Sequence, residues 1–114
     1  MKYLSIGLRV LLTAAFVMAG GAKLAGVEMM VQTFDAVGLG QWFRYVTGII
    51  EISGAILLWV PAVRLIGAAL LASTSVGAVL AHLLVLGPSM VPALVLAALL
   101  FAVIYLHRDE AKLA

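Results

Sequence analysis

Apolar residues fall into four long blocks, about Leu4 to Leu24, Trp42 to Val60, Leu65 to Leu86 and Met90 to Leu106. Each is close to the ~20 residues that cross a ~30 Å hydrocarbon core as a helix. The segment from Ala25 to Gln41 has a different pattern. Val27, Met30, Val31, Phe34 and Val37 recur at helical spacing, with Glu28, Gln32 and Asp35 opposite, until Gly38 and Gly40 interrupt it. It predicts a short helix over about residues 27–37, lying in the outer membrane interface as an anchor that closes the connection or as a lid over a polar pocket. The uncharged Gly87-Pro88-Ser89 predicts a tight outer turn. The expected fold is all-α: one domain over residues 1–114, an integral membrane four-helix bundle with an interfacial helix between its first two spans. Trp42, Trp59 and Tyr105, near span ends, fit interfacial anchoring.

Polar residues inside the blocks are few and fall on stripes. A rotation of ~100° per residue aligns Arg9, Thr13, Phe16, Gly20 and Lys23 on the first span, and Arg44, Thr47, Gly48, Glu51 and Ala55 on the second. Ser75, Ala78 and His82 share a face of the third, with Thr74 beside it, whereas the fourth carries nothing ionisable. Lipid cannot satisfy such groups, so a bundle turns the stripes inward. At ~1.5 Å per residue, Glu51 lies about 13 Å from either boundary, Arg9 about 8 Å from the inner one and His82 about 6 Å from the outer one. Two sets of cations then compete for Glu51: Arg9 from below, and Lys23 with His82 from above. A carboxylate at that depth costs on the order of 3 kcal/mol on insertion scales, which makes Glu51 a candidate for ligand or proton handling. The structural reading is an ion pair or hydrogen bond that fixes helix register. His82 reads either as a helix-to-helix hydrogen bond or as a proton donor and acceptor near neutral pH; Arg9 and Lys23, taken singly, read as side chains snorkelling to their interfaces. Small residues at every fourth position, Ala69, Ser73, Gly77 and Ala81 in the third span and Ala15 and Ala19 in the first, predict close packing within the bundle, or alternatively a seam for a second copy or partner subunit.

Composition fixes the class. With 66% hydrophobic and 11% charged residues in 114, the chain carries more apolar surface than a soluble domain of this size can hide. Lys2, Arg9, Arg64, Arg108 and Lys112 fall on one side of the predicted topology, while Lys23 and Arg44 fall on the other with Glu28 and Asp35 to offset them. Both termini are therefore expected in the cytoplasm, and the net charge of +2 reflects these flanks and no nucleic-acid surface. Arg9 interrupts the apolar stretch that a cleavable signal peptide would need. There is no cysteine, which removes thiol relay, disulfide exchange and thiolate-ligated metal chemistry. His82 and His107 lie at opposite ends, leaving no imidazole pair for haem or zinc, and no metal site is expected. The glycines form no phosphate-cradling loop, and no flavin or nicotinamide signature is present.

Gly20-Gly21-Ala22-Lys23-Leu24, Thr47-Gly48-Ile49-Ile50-Glu51 with Gly54-Ala55, Pro61 through Arg64 with Gly67, and Ala81-His82-Leu83 occur in an order and spacing that resembles the DoxX and DoxX-like family of small bacterial membrane proteins. The resemblance extends over essentially the whole chain. It implies a four-helix bundle in the bacterial inner membrane and, for some members, association with membrane redox systems, including thiosulfate oxidation that delivers electrons to quinone. Lys23, Glu51 and His82 match the family's polar positions. Larger members carry additional segments that this compact chain lacks, and distant relatives of the fold act in lipid handling or as assembly factors. The leading expectation is a pocket for a quinone-like or other amphipathic ligand, formed by Glu51, His82, Lys23 and Arg9 and supported by Thr13, Gly20, Arg44, Thr47, Gly48 and Ser75, in an accessory to a redox partner subunit. The alternatives are a proton-coupled small-solute transporter acting as a homodimer, and a non-catalytic scaffold.

Overall fold

The computed structural model describes residues 2–86 and 90–113, so the expected Gly87-Pro88-Ser89 turn lies outside the described residues. The chain is all-α. It forms α1 (Lys2–Ala25), α2 (Glu28–Val37), α3 (Gln41–Leu57), α4 (Arg64–Ala81) continued by a π-helical turn (His82–Leu86), α5 (Val91–Leu106) and a 3₁₀ segment (Arg108–Leu113). These bounds follow the apolar blocks, with one shift. The second block runs on to Val60, but α3 ends at Leu57, because the chain must turn before Pro61, which would clash with and break a continuing helix. The amphipathic helix lies where the periodicity places it. Gly38, at φ 84°, ends it in the left-handed conformation that glycine adopts without strain, donating its amide to Phe34 O.

α1 packs on α3, α3 on α4, α4 on α5, and α5 returns to α1. α3 is central because it meets both neighbours through glycines. A Cβ at Gly20 would stand 2.9 Å from Gly48 O, and one at Gly48 would stand 3.1 Å from Gly20 O. The same reciprocity joins α3 to α4: a Cβ at Gly54 would meet Leu71 Cγ at 2.8 Å, and one at Gly67 would meet Gly54 O at 2.8 Å. Backbones approach this closely only where no side chain intervenes. A dry core fills the middle, with Leu12 and Phe16 from α1, Ala55 and Leu58 from the end of α3, Ala68, Leu71 and Ala72 from α4, and Leu100 and Val103 from α5.

The small-residue seam of α4 corrects an expectation. Ala69, Ser73 and Gly77 are exposed, and nothing lies within 4 Å of a Cβ at Gly77. The buried face of α4 is instead Gly67, Ala68, Leu71, Ala72 and Ser75. The face that carries Gly67 is the one buried, because Gly67 meets Gly54 across the crossing and Leu71 packs on the same glycine.

α1 and the continuous stretch Arg64–Leu84 are long and apolar enough to cross a membrane, and only 28% of either apolar window is buried within the protein. A core helix of a soluble protein would be mostly buried. Large apolar side chains such as Leu11, Met18, Ile66, Leu84 and Phe101 are more than half exposed, an outer surface suited to hydrocarbon. The molecule measures 40 × 23 × 23 Å, its long axis comparable to the ~40–45 Å of a bilayer with headgroups.

Candidate functional site

The dry core separates two polar layers. The first lies toward the end covered by α2. Lys23 Nζ stands 2.7 Å from Glu51 Oε1, with the side chains 12% and 7% exposed. α1 reaches α3 this closely because Gly20 lacks a side chain; its Cβ would be 3.3 Å from that of Glu51. The contact is a close ion pair, so the ammonium neutralises the buried carboxylate. Ser75 Oγ and His82 Nδ1, by contrast, are buried without hydrogen-bond partners among the described residues. From the Gly54–Leu71 contact, three residues back along α3 is Glu51 and four residues on along α4 is Ser75, so the antiparallel register brings the two to a similar level. His82 begins the π-helical turn, whose wider winding interrupts the α4 ladder and is frequent at functional sites. α2 packs against α1, α3 and this turn, held by buried Phe34, whose ring lies 6.0 Å from that of Phe43.

Arg44 belongs to the framework of this layer. Its Nη1 donates to Lys23 O, its Nε donates to Gln41 Oε1 at 2.8 Å, and Gln41 Nε2 donates to Val31 O at 2.9 Å. The guanidinium thus ties the end of α1 to α3, and Gln41, which it holds, ties α3 to α2. Thr47 donates within its own helix to Phe43 O, at 2.8 Å.

Arg9 lies elsewhere. Of the two cation sets left open for Glu51, Arg9 is not the one that meets it: its Nε donates to Ser5 Oγ at 3.1 Å, its Nη1 points to Leu58 O at 3.4 Å, and its guanidinium faces Trp59 at 4.7 Å. The Trp59 indole donates to Thr13 Oγ1 at 2.8 Å, so Thr13 also serves this second layer. The physical reason is the end of α3. Leu58 O is an orphan carbonyl at the negative pole of the helix, and it accepts Arg64 Nε at 2.9 Å in addition to Arg9. Arg64 Nη1 pairs with Glu110 Oε2 at 2.8 Å, and His107 Nδ1 lies 2.7 Å from the same oxygen. His107 Nε2 is 2.5 Å from Ser5 Oγ. Ser5 Oγ thus bridges Arg9 and His107, whose Nδ1 also lies 3.1 Å from Arg64 Nη1. The Ser5–His107 bond also brings the first turn of α1 beside the last turn of α5. A cleft of about 250 Å³ opens here, lined by Lys2, Ser5, Arg9, Leu106 and His107.

Sequence reasoning assembled Lys23, Glu51, His82 and Ser75 as inward groups, and among the described residues it is Lys23 that pairs with Glu51 while no hydrogen bond or ion pair joins His82 to either. The second layer is not legible in the same way, since Arg64 and His107 read from the sequence only as flanking groups. Two local signals were present: Ser5 lies one turn before Arg9, and Glu110 lies three residues after His107. Neither indicates that a carbonyl of another helix gathers the arginines.

No curated protein and no solved structure shows significant similarity to this chain. The helical fold, the outward apolar surface and the two long apolar helices are those of a small membrane protein, and residues 7–105 match the profile of the DoxX-like family, so the chain belongs to that family.

Proposed function

We propose that this protein is a four-span inner-membrane accessory to a redox system, and that the layer under α2 receives the polar head of a quinone-like or similar amphipathic ligand. The observation that carries this reading is the presence, beside the Lys23–Glu51 ion pair, of two buried polar atoms lacking hydrogen-bond partners, Ser75 Oγ and His82 Nδ1. Each such group costs about 1–3 kcal/mol, a burden that a purely structural ion pair does not require. A quinone supplies two carbonyl oxygens and undergoes proton-coupled reduction when bound. The residues fit such a head, because Lys23, the Ser75 hydroxyl and the His82 ring can donate to carbonyl oxygens while Glu51 can hold or release a proton. α2 shields them from the outer surface. The four-span arrangement is supported by α3 and α5, of 17 and 16 residues, which rise about 25 Å. The lysine and arginine distribution favours cytoplasmic termini.

Organic extraction of mildly purified protein followed by mass analysis tests this reading. A stoichiometric quinone or lipid retained by the native protein and lost from Glu51→Gln and His82→Ala supports it; equal retention in all three refutes it. A scaffold reading has support from the two glycine crossings, which the Lys23–Glu51 pair would hold in register. Transport by a homodimer finds support in the outward Ala69, Ser73 and Gly77, against which a second copy could pack. The continuous dry core from Leu12 to Val103 disfavours that route, since the side chains between the two layers offer nothing to relay a proton.

A further inference from the structure

The second layer contains an imbalance that the Lys23–Glu51 site does not explain. Arg9 is only 8% exposed, yet among the described residues it has no carboxylate within ion-pair distance. Its partners are a hydroxyl, a carbonyl and an indole face, all uncharged. Glu110, the nearby acid, is engaged by Arg64 and His107. A buried cation without a counter-ion is costly, and this one borders an open cleft instead of a sealed interior. Among the described residues, Arg9 Nη2 makes no hydrogen bond, and exposed Lys2, two turns earlier on α1, lines the same cleft.

We propose that the cleft between the first turn of α1 and the last turn of α5 binds a phosphate-type anion, with Arg9 and Lys2 supplying charge and Leu106 forming the apolar wall. The chemistry is that of a phosphate monoanion, carried by an anionic phospholipid or free in solution. Size limits the occupant. At about 250 Å³ the cleft is smaller than the ~300–1,000 Å³ that encloses drug-sized ligands, so it takes a headgroup and leaves acyl chains outside, along the exposed apolar surface of Leu4, Val10 and Leu11. Basic pockets between membrane helices are suited to such headgroups. The site lies across the dry core from Glu51 and is independent of the ligand proposed there.

Full-length protein in nanodiscs tests it in two arms. In one, native mass spectrometry compares retention of phosphatidylglycerol with phosphatidylcholine; in the other, inorganic phosphate is titrated against chloride at matched ionic strength in phosphatidylcholine nanodiscs, with thermal stability as readout. Preferential retention of phosphatidylglycerol, weakened about five-fold in Lys2→Gln, supports the site with a lipid occupant; one basic side chain near an anionic surface supplies about that factor. Stabilisation by phosphate that Lys2→Gln diminishes supports it with a soluble one. Arg9→Gln should reduce either effect further; should that variant fail to fold, the exposed Lys2 substitution decides alone. Native protein and Lys2→Gln behaving alike in both arms overturns the proposal.

Discussion

Removing one member of the Lys23–Glu51 pair should harm the protein more than removing both. Glu51→Gln leaves a lysine 12% exposed beside an uncharged amide, and breaking a buried pair from one side costs about 3–5 kcal/mol. Replacing both residues with methionine substitutes apolar volume for two desolvated charges, which is often neutral or stabilising. Unfolding in mixed micelles should therefore rank Glu51→Gln well below the double variant, with the double variant near the native protein. A double variant as unstable as the single one would contradict this account. Ligand retention separates the roles, because the restored double variant should still lose a ligand that depended on the pair. At the other end, Arg9 and Arg64 share Leu58 O. The depth of Arg9 could be counted along the chain, but its partner could not, since a guanidinium reaches far enough to choose between a carboxylate above and a helix terminus below.

The helices differ in how tightly the structure constrains them. Gly67→Ala drives a methyl group to 2.8 Å from Gly54 O and 2.7 Å from Leu57 Cβ, backbone and stem atoms that cannot swing aside. We expect a loss of about 1–3 kcal/mol, the usual cost of overpacking. Gly77→Ala, on the same helix with open space around it, should be neutral or stabilising by up to about 1 kcal/mol, because alanine is the better helix former. Equal effects in steric-trap or denaturant unfolding would show that the crossing is not close-packed. For α2, Phe34→Ala removes the one buried side chain of that helix. Amide exchange over residues 28–37 should rise while α1, α3 and α4 keep their protection, and quenching of a probe near His82 should increase with it. The helix itself was legible in the spacing of Met30, Val31, Phe34 and Val37. Its contact with the π-helical turn was not, because the irregular winding at His82 leaves no periodic trace.

Across the protein, a dry core with a polar layer at each end explains why the chain can be so apolar and still carry specific chemistry. The absence of native cysteine allows topology to be read directly. Lys2→Cys and Asp109→Cys should react with an impermeant maleimide from one side of sealed vesicles and Asp35→Cys from the other. Labelling of all three from one side would exclude the four-span arrangement. Ser73→Cys and Ser75→Cys, two residues apart, should differ sharply toward a membrane-soluble thiol reagent, since Ser73 is exposed and Ser75 is 3% exposed.

The helical elements, the membrane character and the inward placement of Glu51 and Ser75 were written in the chain, because local periodicity and the cost of polar groups in hydrocarbon act on each helix separately. Pairing depended on the packed molecule. Whether Glu51 met Arg9 or Lys23, which small-residue row of α4 faced α3, and how Ser5, Arg64, His107 and Glu110 came together all turn on relative rotation and register. Those are set where Gly20 meets Gly48 and Gly54 meets Gly67, and by one orphan carbonyl at the end of α3. A single helix contains no information about the gap its neighbour leaves.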